Sequence, residues 1–131
     1  MILVDSSVWV EMLRDTGSPE DRRLRALLNS TEEIATSEPI AMELFAGAKT
    51  TLQRRQVGGV LAACRMLSVS GPIDWEAAAA VHRACRRAGV TPRRMLHCLI
   101  ATVAIRAGVP VLAKDRDYEL IAEHTALELA R

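Results

Sequence analysis

MILVDSSVWVEMLR, residues 1–14, opens on four apolar residues, breaks on one acid at Asp5 and continues with helical character. The first part predicts a short buried strand ended by Asp5, and SSVWVEMLR predicts a helix with a serine near its N-cap. The other end of the chain repeats the order. VPVLA, residues 109–113, predicts a buried strand, DYELIAEH a short helix, and ALELA, residues 126–130, a closing strand.

Between these ends the chain alternates in the same way. SPEDRRLRALLN has Ser18 as N-cap, Pro19 at the first helical position and acids in the first turn. EIATS, residues 33–37, predicts a strand, and EPIAMELFAGAK, residues 38–49, a helix. Residues 51–66 predict a helix weakened by Gly58 and Gly59, and MLSVS, residues 66–70, a strand ended by Gly71-Pro72. Asp74 is the expected N-cap of WEAAAAVHRACRRAG, which Gly89 ends. RMLHCLIATVAI, residues 94–105, follows as an almost wholly apolar helix closed by Gly108. Strands alternating with helices predict an α/β fold, a mainly parallel sheet with helices on both faces. At 131 residues, the chain has room for a single domain, residues 1–131.

Composition narrows the functional classes. Four aromatic residues leave the core to Leu, Val, Ile, Ala and Met, and give few platforms for stacking a sugar. The net charge of +1 conceals an asymmetry, because no acid occurs between Glu76 and Asp115 while seven basic residues do. Arg86, Arg87, Arg93 and Arg94 lie in that window and are candidates for contacting nucleic-acid phosphates, or else a solvated helix face. Cys64, Cys85 and Cys98 lack CxxC spacing and are expected as buried reduced thiols, which points to a cytoplasmic protein. Neither a signal peptide nor a membrane span is expected. Phosphate-loop, dinucleotide, zinc-protease and serine-hydrolase signatures are all missing.

Four acids and one histidine remain. In parallel sheets the ligand crevice lies beyond the carboxyl ends of the strands, where Asp5 and Asp115 fall, with Asp117 two residues on. Glu43 sits among Ile40, Leu44 and Phe45 on an apolar helix face, where a carboxylate needs a partner. With two lysines in the chain and the arginines clustered elsewhere, a hard divalent cation is the expected partner. His97 shares a helix face with Ile100, Ala101 and Ala104 and should point inward. His82 and His124 are expected at the surface.

MILVDSSVWVE, SEPIAMELFAGA, HCLIATVAI and VLAKDRDYELI together resemble the PIN domain, and more narrowly the VapC-type ribonuclease toxins of type II toxin–antitoxin pairs. The resemblance spans essentially the whole chain. It implies a three-layer α/β/α sandwich and a Mg²⁺- or Mn²⁺-dependent endoribonuclease that cuts structured RNA such as tRNA or rRNA. It also implies a VapB-type antitoxin and a homodimer. By position, Asp5 is the first acid, followed by the hydroxyl residue Ser7; Glu43 is the second, Asp115 the fourth, and Asp117 the additional acid. Asp5, Asp115 and Asp117 would hold the metal. The third acidic position is His97. Imidazole suits Mg²⁺ poorly and Mn²⁺, Zn²⁺ or Ni²⁺ better. The swap also leaves open a weakened PIN domain that binds antitoxin and RNA without efficient cleavage. A small metal-dependent phosphatase is a further alternative.

Overall fold

In the computed structural model, which describes residues 1–131, the strand predicted at the N-terminus is the centre of the sheet. β1 (Ile2–Val4) lies between β2 (Ile34–Thr36) and β4 (Val111–Leu112), and β3 (Arg65–Met66) pairs outside β2, giving the order β3-β2-β1-β4. Every pairing is parallel, with Leu3 opposite both Ala35 and Val111. Leu3, Val4, Ala35 and Val111 have no exposed surface, because helices cover both faces. That two-sided burial is why these strands are unbroken apolar runs rather than alternating ones.

Seven helices complete the fold: α1 (Ser6–Leu13), α2 (Pro19–Leu28), α3 (Glu38–Gly47), α4 (Thr51–Ala62), α5 (Gly71–Arg87), α6 (Met95–Ala107) and α7 (Arg116–His124). Ser18 caps α2 by accepting from the Asp21 N–H, with Pro19 in the first turn, as its sequence predicts. α4 runs through Gly58 and Gly59 without a break. Gly108, at φ 67°, closes α6 in the left-handed conformation that a side chain would strain. No helix is long and apolar enough to cross a membrane.

Three elements differ from expectation. The strand expected at 66–70 is Arg65–Met66, an exposed two-residue edge that the chain leaves after Leu67 donates to the Thr36 carbonyl. The closing strand reduces to one bridge between Val111 and Leu129, because β4 offers only two residues to pair with. Asp74 is not the N-cap of α5. Pro72 presets the first turn, so the helix starts at Gly71 with Ser70 as its cap residue. Asp74, 1% exposed, instead accepts from the Ser70 N–H at 2.6 Å and from Arg106 Nε and Nη2 at 3.0 and 2.8 Å, tying α5 to α6.

The Arg106 guanidinium is the main reason the Asp74 carboxyl lies below its ordinary range. Arg106→Ala is therefore expected to destabilise the fold by roughly 2–3 kcal/mol, discounted from the buried-pair range because Arg106 is partly exposed. Because the native pKa is depressed, this contribution is fully present above the ordinary Asp value of about 4 and fades as pH falls through the native one. Urea melts at pH 7 and pH 3 check it: the variant and parent should differ clearly at the first pH and less at the second.

The connectivity also fixes where a site can form. From β1 the chain builds outward through β2 and β3, then returns to place β4 on the other side of β1. The strand order therefore reverses between β1 and β4. The crevice opens beyond their carboxyl ends, where the chain places Asp5 and Asp115.

Candidate active site

Asp5 leaves the end of β1 and becomes the N-cap of α1, with Ser6 and Ser7 directly after it. Its Oδ2 accepts from the Ser7 N–H at 3.0 Å and the Ser7 hydroxyl at 2.6 Å; its Oδ1 accepts from the Tyr118 hydroxyl at 2.7 Å. Three donors hold this carboxylate, which is 1% exposed, in one orientation. Ser7 Oγ also accepts from the Lys114 N–H at 3.0 Å, which fixes the loop after β4 against the start of α1.

Asp115 caps α7 by accepting from the Asp117 N–H at 2.9 Å, and its side chain keeps 35% of its surface open. Asp117 points inward. Its Oδ1 accepts from the Arg93 N–H at 2.9 Å, and its Oδ2 from the Arg94 N–H at 3.1 Å. His97 Nδ1 lies 2.7 Å from the same Oδ2 and 3.9 Å from Asp115 Oδ1. Burial opposes ionisation of Asp117, yet the Arg93 N–H, His97 and the Arg94 N–H outweigh it and hold the carboxyl below its usual range. An ionised Asp117 only accepts, so Nδ1 carries the proton shared between His97 and Asp117.

Glu43 reaches the crevice from α3, accepting from the Ser6 hydroxyl at 3.1 Å and from Arg94 Nη1 at 3.1 Å. This corrects the expectation that no arginine is near enough to partner it. Arg94 spans the site, with its backbone on Asp117 and its guanidinium on Glu43, although 51 positions separate it from Glu43. Arg93 and Arg94 therefore stand at the rim. Arg86 and Arg87 occupy the exposed last turn of α5, with no hydrogen bond to any of the four acids.

Ligand atoms of His97, Asp115 and Asp117 all lie within 4.8 Å of one another, and Asp5 falls outside that set. Tyr118 joins the two halves. Its ring centroid is 5.0 Å from that of His97, and its hydroxyl reaches Asp5. Burial above all, then the charges of Asp5, Glu43 and Asp115, raises its pKa well beyond the ordinary tyrosine value. The Tyr118 hydroxyl therefore stays a neutral donor to Asp5. Sequence reasoning missed Tyr118. The available signal was a single tyrosine directly after a site acid in an aromatic-poor chain, since a buried phenol needs an acceptor. Burial also pushes the Cys98 thiol up to about 11, so it is a neutral core group behind the site.

Residues 2–124 match the PIN domain family. This chain belongs to that family. It is 45% identical to a VapC ribonuclease of Mycobacterium bovis and to ribonuclease VapC11 of Mycobacterium tuberculosis, each alignment covering 99% of this chain and 98% of the relative. This PIN domain also superposes on VapBC2 from Rickettsia felis, solved with a promoter DNA fragment, with a TM-score of 0.77. That match has 17% identity and covers 99% of this chain and 98% of the other. The sarcin-ricin loop cleaving toxin VapC20 of Mycobacterium tuberculosis gives a TM-score of 0.70 at 17% identity, covering 98% and 99% of the two chains. These two likenesses establish the parallel α/β/α fold.

Proposed function

We propose that this PIN domain is a divalent-metal-dependent endoribonuclease toxin that hydrolyses phosphodiester bonds in structured RNA, such as tRNA or rRNA, and so inhibits translation. The carrying observation is the convergence of Asp5, Glu43, His97, Asp115 and Asp117 at the strand-order reversal, linked through Tyr118 and Arg94. The 45% identity to named VapC ribonucleases supports the same reading.

The donor set fits a divalent ion: carboxylates of Asp115 and Asp117 would hold it with the His97 imidazole beside them, and Asp5 would add negative charge from just outside that cluster. When bound, such an ion acidifies a water and offsets charge on the scissile phosphate. The chain supplies the rest. Ser7 and Tyr118 immobilise Asp5, so little reorganisation accompanies the reaction. Glu43, braced by Ser6 and Arg94, is placed to orient a water. Arg93 and Arg94 set positive charge at the rim, where a phosphate backbone would lie.

If Arg86, Arg87, Arg93 and Arg94 contact phosphates, replacing all four by Ala should weaken RNA binding across sequences. It should also flatten the salt dependence, by roughly 0.7–0.9 in log–log slope for each phosphate no longer neutralised. Filter binding between 50 and 300 mM salt checks this (roughly the range over which such slopes are read). An unchanged slope assigns the four arginines to the solvated surface.

Beside Glu43, a groove of about 320 Å³ runs between α1, α3 and α4, lined by Val10, Leu13, Leu44, Ala48 and Val57 with Arg14 at its side. We assign it to a segment of a VapB-type antitoxin, and expect two toxin copies in the assembly. The support is that structural neighbours were solved as toxin–antitoxin complexes.

One observation favours a second reading. Where the resemblance places a third acid, His97 donates to Asp117 and brings no negative charge. This describes a PIN domain that binds antitoxin and RNA but cleaves inefficiently. RNA cleavage in Mg²⁺ and in Mn²⁺, measured beside antitoxin binding on the same preparation, separates the two. Robust cleavage supports the first reading, and binding without cleavage the second.

A further inference from the structure

We propose that the metal centre of this chain is a mixed site of one imidazole and two carboxylates, His97, Asp115 and Asp117, which selects Mn²⁺ or a similar transition ion over Mg²⁺. The proposal rests on the metal-dependent reading above and specifies its ion.

The His97 side chain is 4% exposed, and its Nδ1 is aimed between two carboxylates, 2.7 Å from Asp117 Oδ2 and 3.9 Å from Asp115 Oδ1. Adjacent ligands around a six-coordinate ion with bonds near 2.1 Å stand roughly 3.0 Å apart. The two observed separations bracket that value, so small side-chain movements, with the imidazole proton shifting from Nδ1 to Nε2, let an ion take that proton's place at Nδ1. Backbone N–H groups of Arg93 and Arg94 hold Asp117, and the Asp117 N–H holds Asp115. Both carboxylates therefore keep their positions when that proton is displaced.

The nitrogen decides which ion. Mg²⁺ demands oxygen ligands and near-ideal octahedral geometry, whereas imidazole suits the later divalent ions. A histidine here also supplies one negative charge fewer than an acid would. That deficit weakens the attraction for a hard ion most, because its binding is chiefly electrostatic. Asp5 contributes charge from outside the 4.8 Å set, its oxygens already engaged by Ser7 and Tyr118.

The test is metal binding by the full chain, followed by Mn²⁺ electron paramagnetic resonance and by Mg²⁺ competition, for the parent, His97→Asp and His97→Gln. The parent should bind Mn²⁺ with a clear preference over Mg²⁺. His97→Asp should tighten Mg²⁺ at least tenfold and narrow the preference. His97→Gln keeps a hydrogen-bond donor for Asp117 but no ring nitrogen, and should weaken Mn²⁺ at least tenfold. It carries the test if His97→Asp fails to fold. Equal preference in all folded variants would overturn the assignment of His97 while leaving a metal site intact. Absence of Mn²⁺ and Mg²⁺ binding in every folded variant would overturn the metal-dependent reading itself, and this inference with it.

Discussion

Asp117→Ala is expected to lower the stability of the fold by about 3–5 kcal/mol, the range for breaking a buried charged hydrogen-bonded group. The Asp117 carboxylate is 1% exposed and accepts from the Arg93 N–H, the Arg94 N–H and His97 Nδ1. Removing it orphans all three donors. Each orphan costs about 1–3 kcal/mol, less whatever the exposed 93–94 segment recovers from water. For a chain of this length the melting temperature should fall by roughly 10–20 °C. Asp117→Asn should recover less than half of that, since its amide NH₂ must face one of the same donors. A drop below about 1 kcal/mol would mean that the segment before α6 does not depend on Asp117.

Asp5→Asn should have the opposite signature, a large effect on turnover and a small one on folding. The asparagine oxygen can still accept from Ser7, and its NH₂ can donate to a Tyr118 hydroxyl turned to accept. Most of the hydrogen bonding seen at Asp5 therefore survives. The negative charge does not survive, and in the proposed mechanism that charge helps the site attract a cation. RNA cleavage should fall at least about 100-fold, equivalent to roughly 2.7 kcal/mol of transition-state stabilisation. Melting temperature should stay within a few degrees of the parent. Single-turnover cleavage with melts on the same samples checks both halves. Retained cleavage would remove Asp5 from the catalytic centre.

How much of this was legible in the sequence follows from which interactions are local. Ile2–Val4 and Val111–Leu112 stand out because strands buried on both faces must be apolar throughout, and an acid directly after such a run marks the crevice. Ser18-Pro19 announces α2 because a cap acts within one turn. Arg65–Met66 gives no such signal, since an exposed two-residue edge is held by the backbone of β2 and not by its own side chains. Asp74 misleads for a related reason: an acid near a helix start suggests a cap, while its buried partner Arg106 is 32 positions away. At the site, inward placement of His97 follows from helical period alone. The links made by Tyr118 to Asp5 and by Arg94 to Glu43 arise only when distant segments are packed together.

Whether this crevice is a metal-dependent ribonuclease centre is tested most directly on the purified, unaltered chain. Cleavage of a mixed tRNA and rRNA substrate is measured in Mn²⁺ and after exhaustive chelation. Cleavage in Mn²⁺ that disappears on chelation and returns when Mn²⁺ is restored is the predicted result. Cleavage that persists through chelation, or none in Mn²⁺ from a folded chain shown to bind the ion, would contradict it.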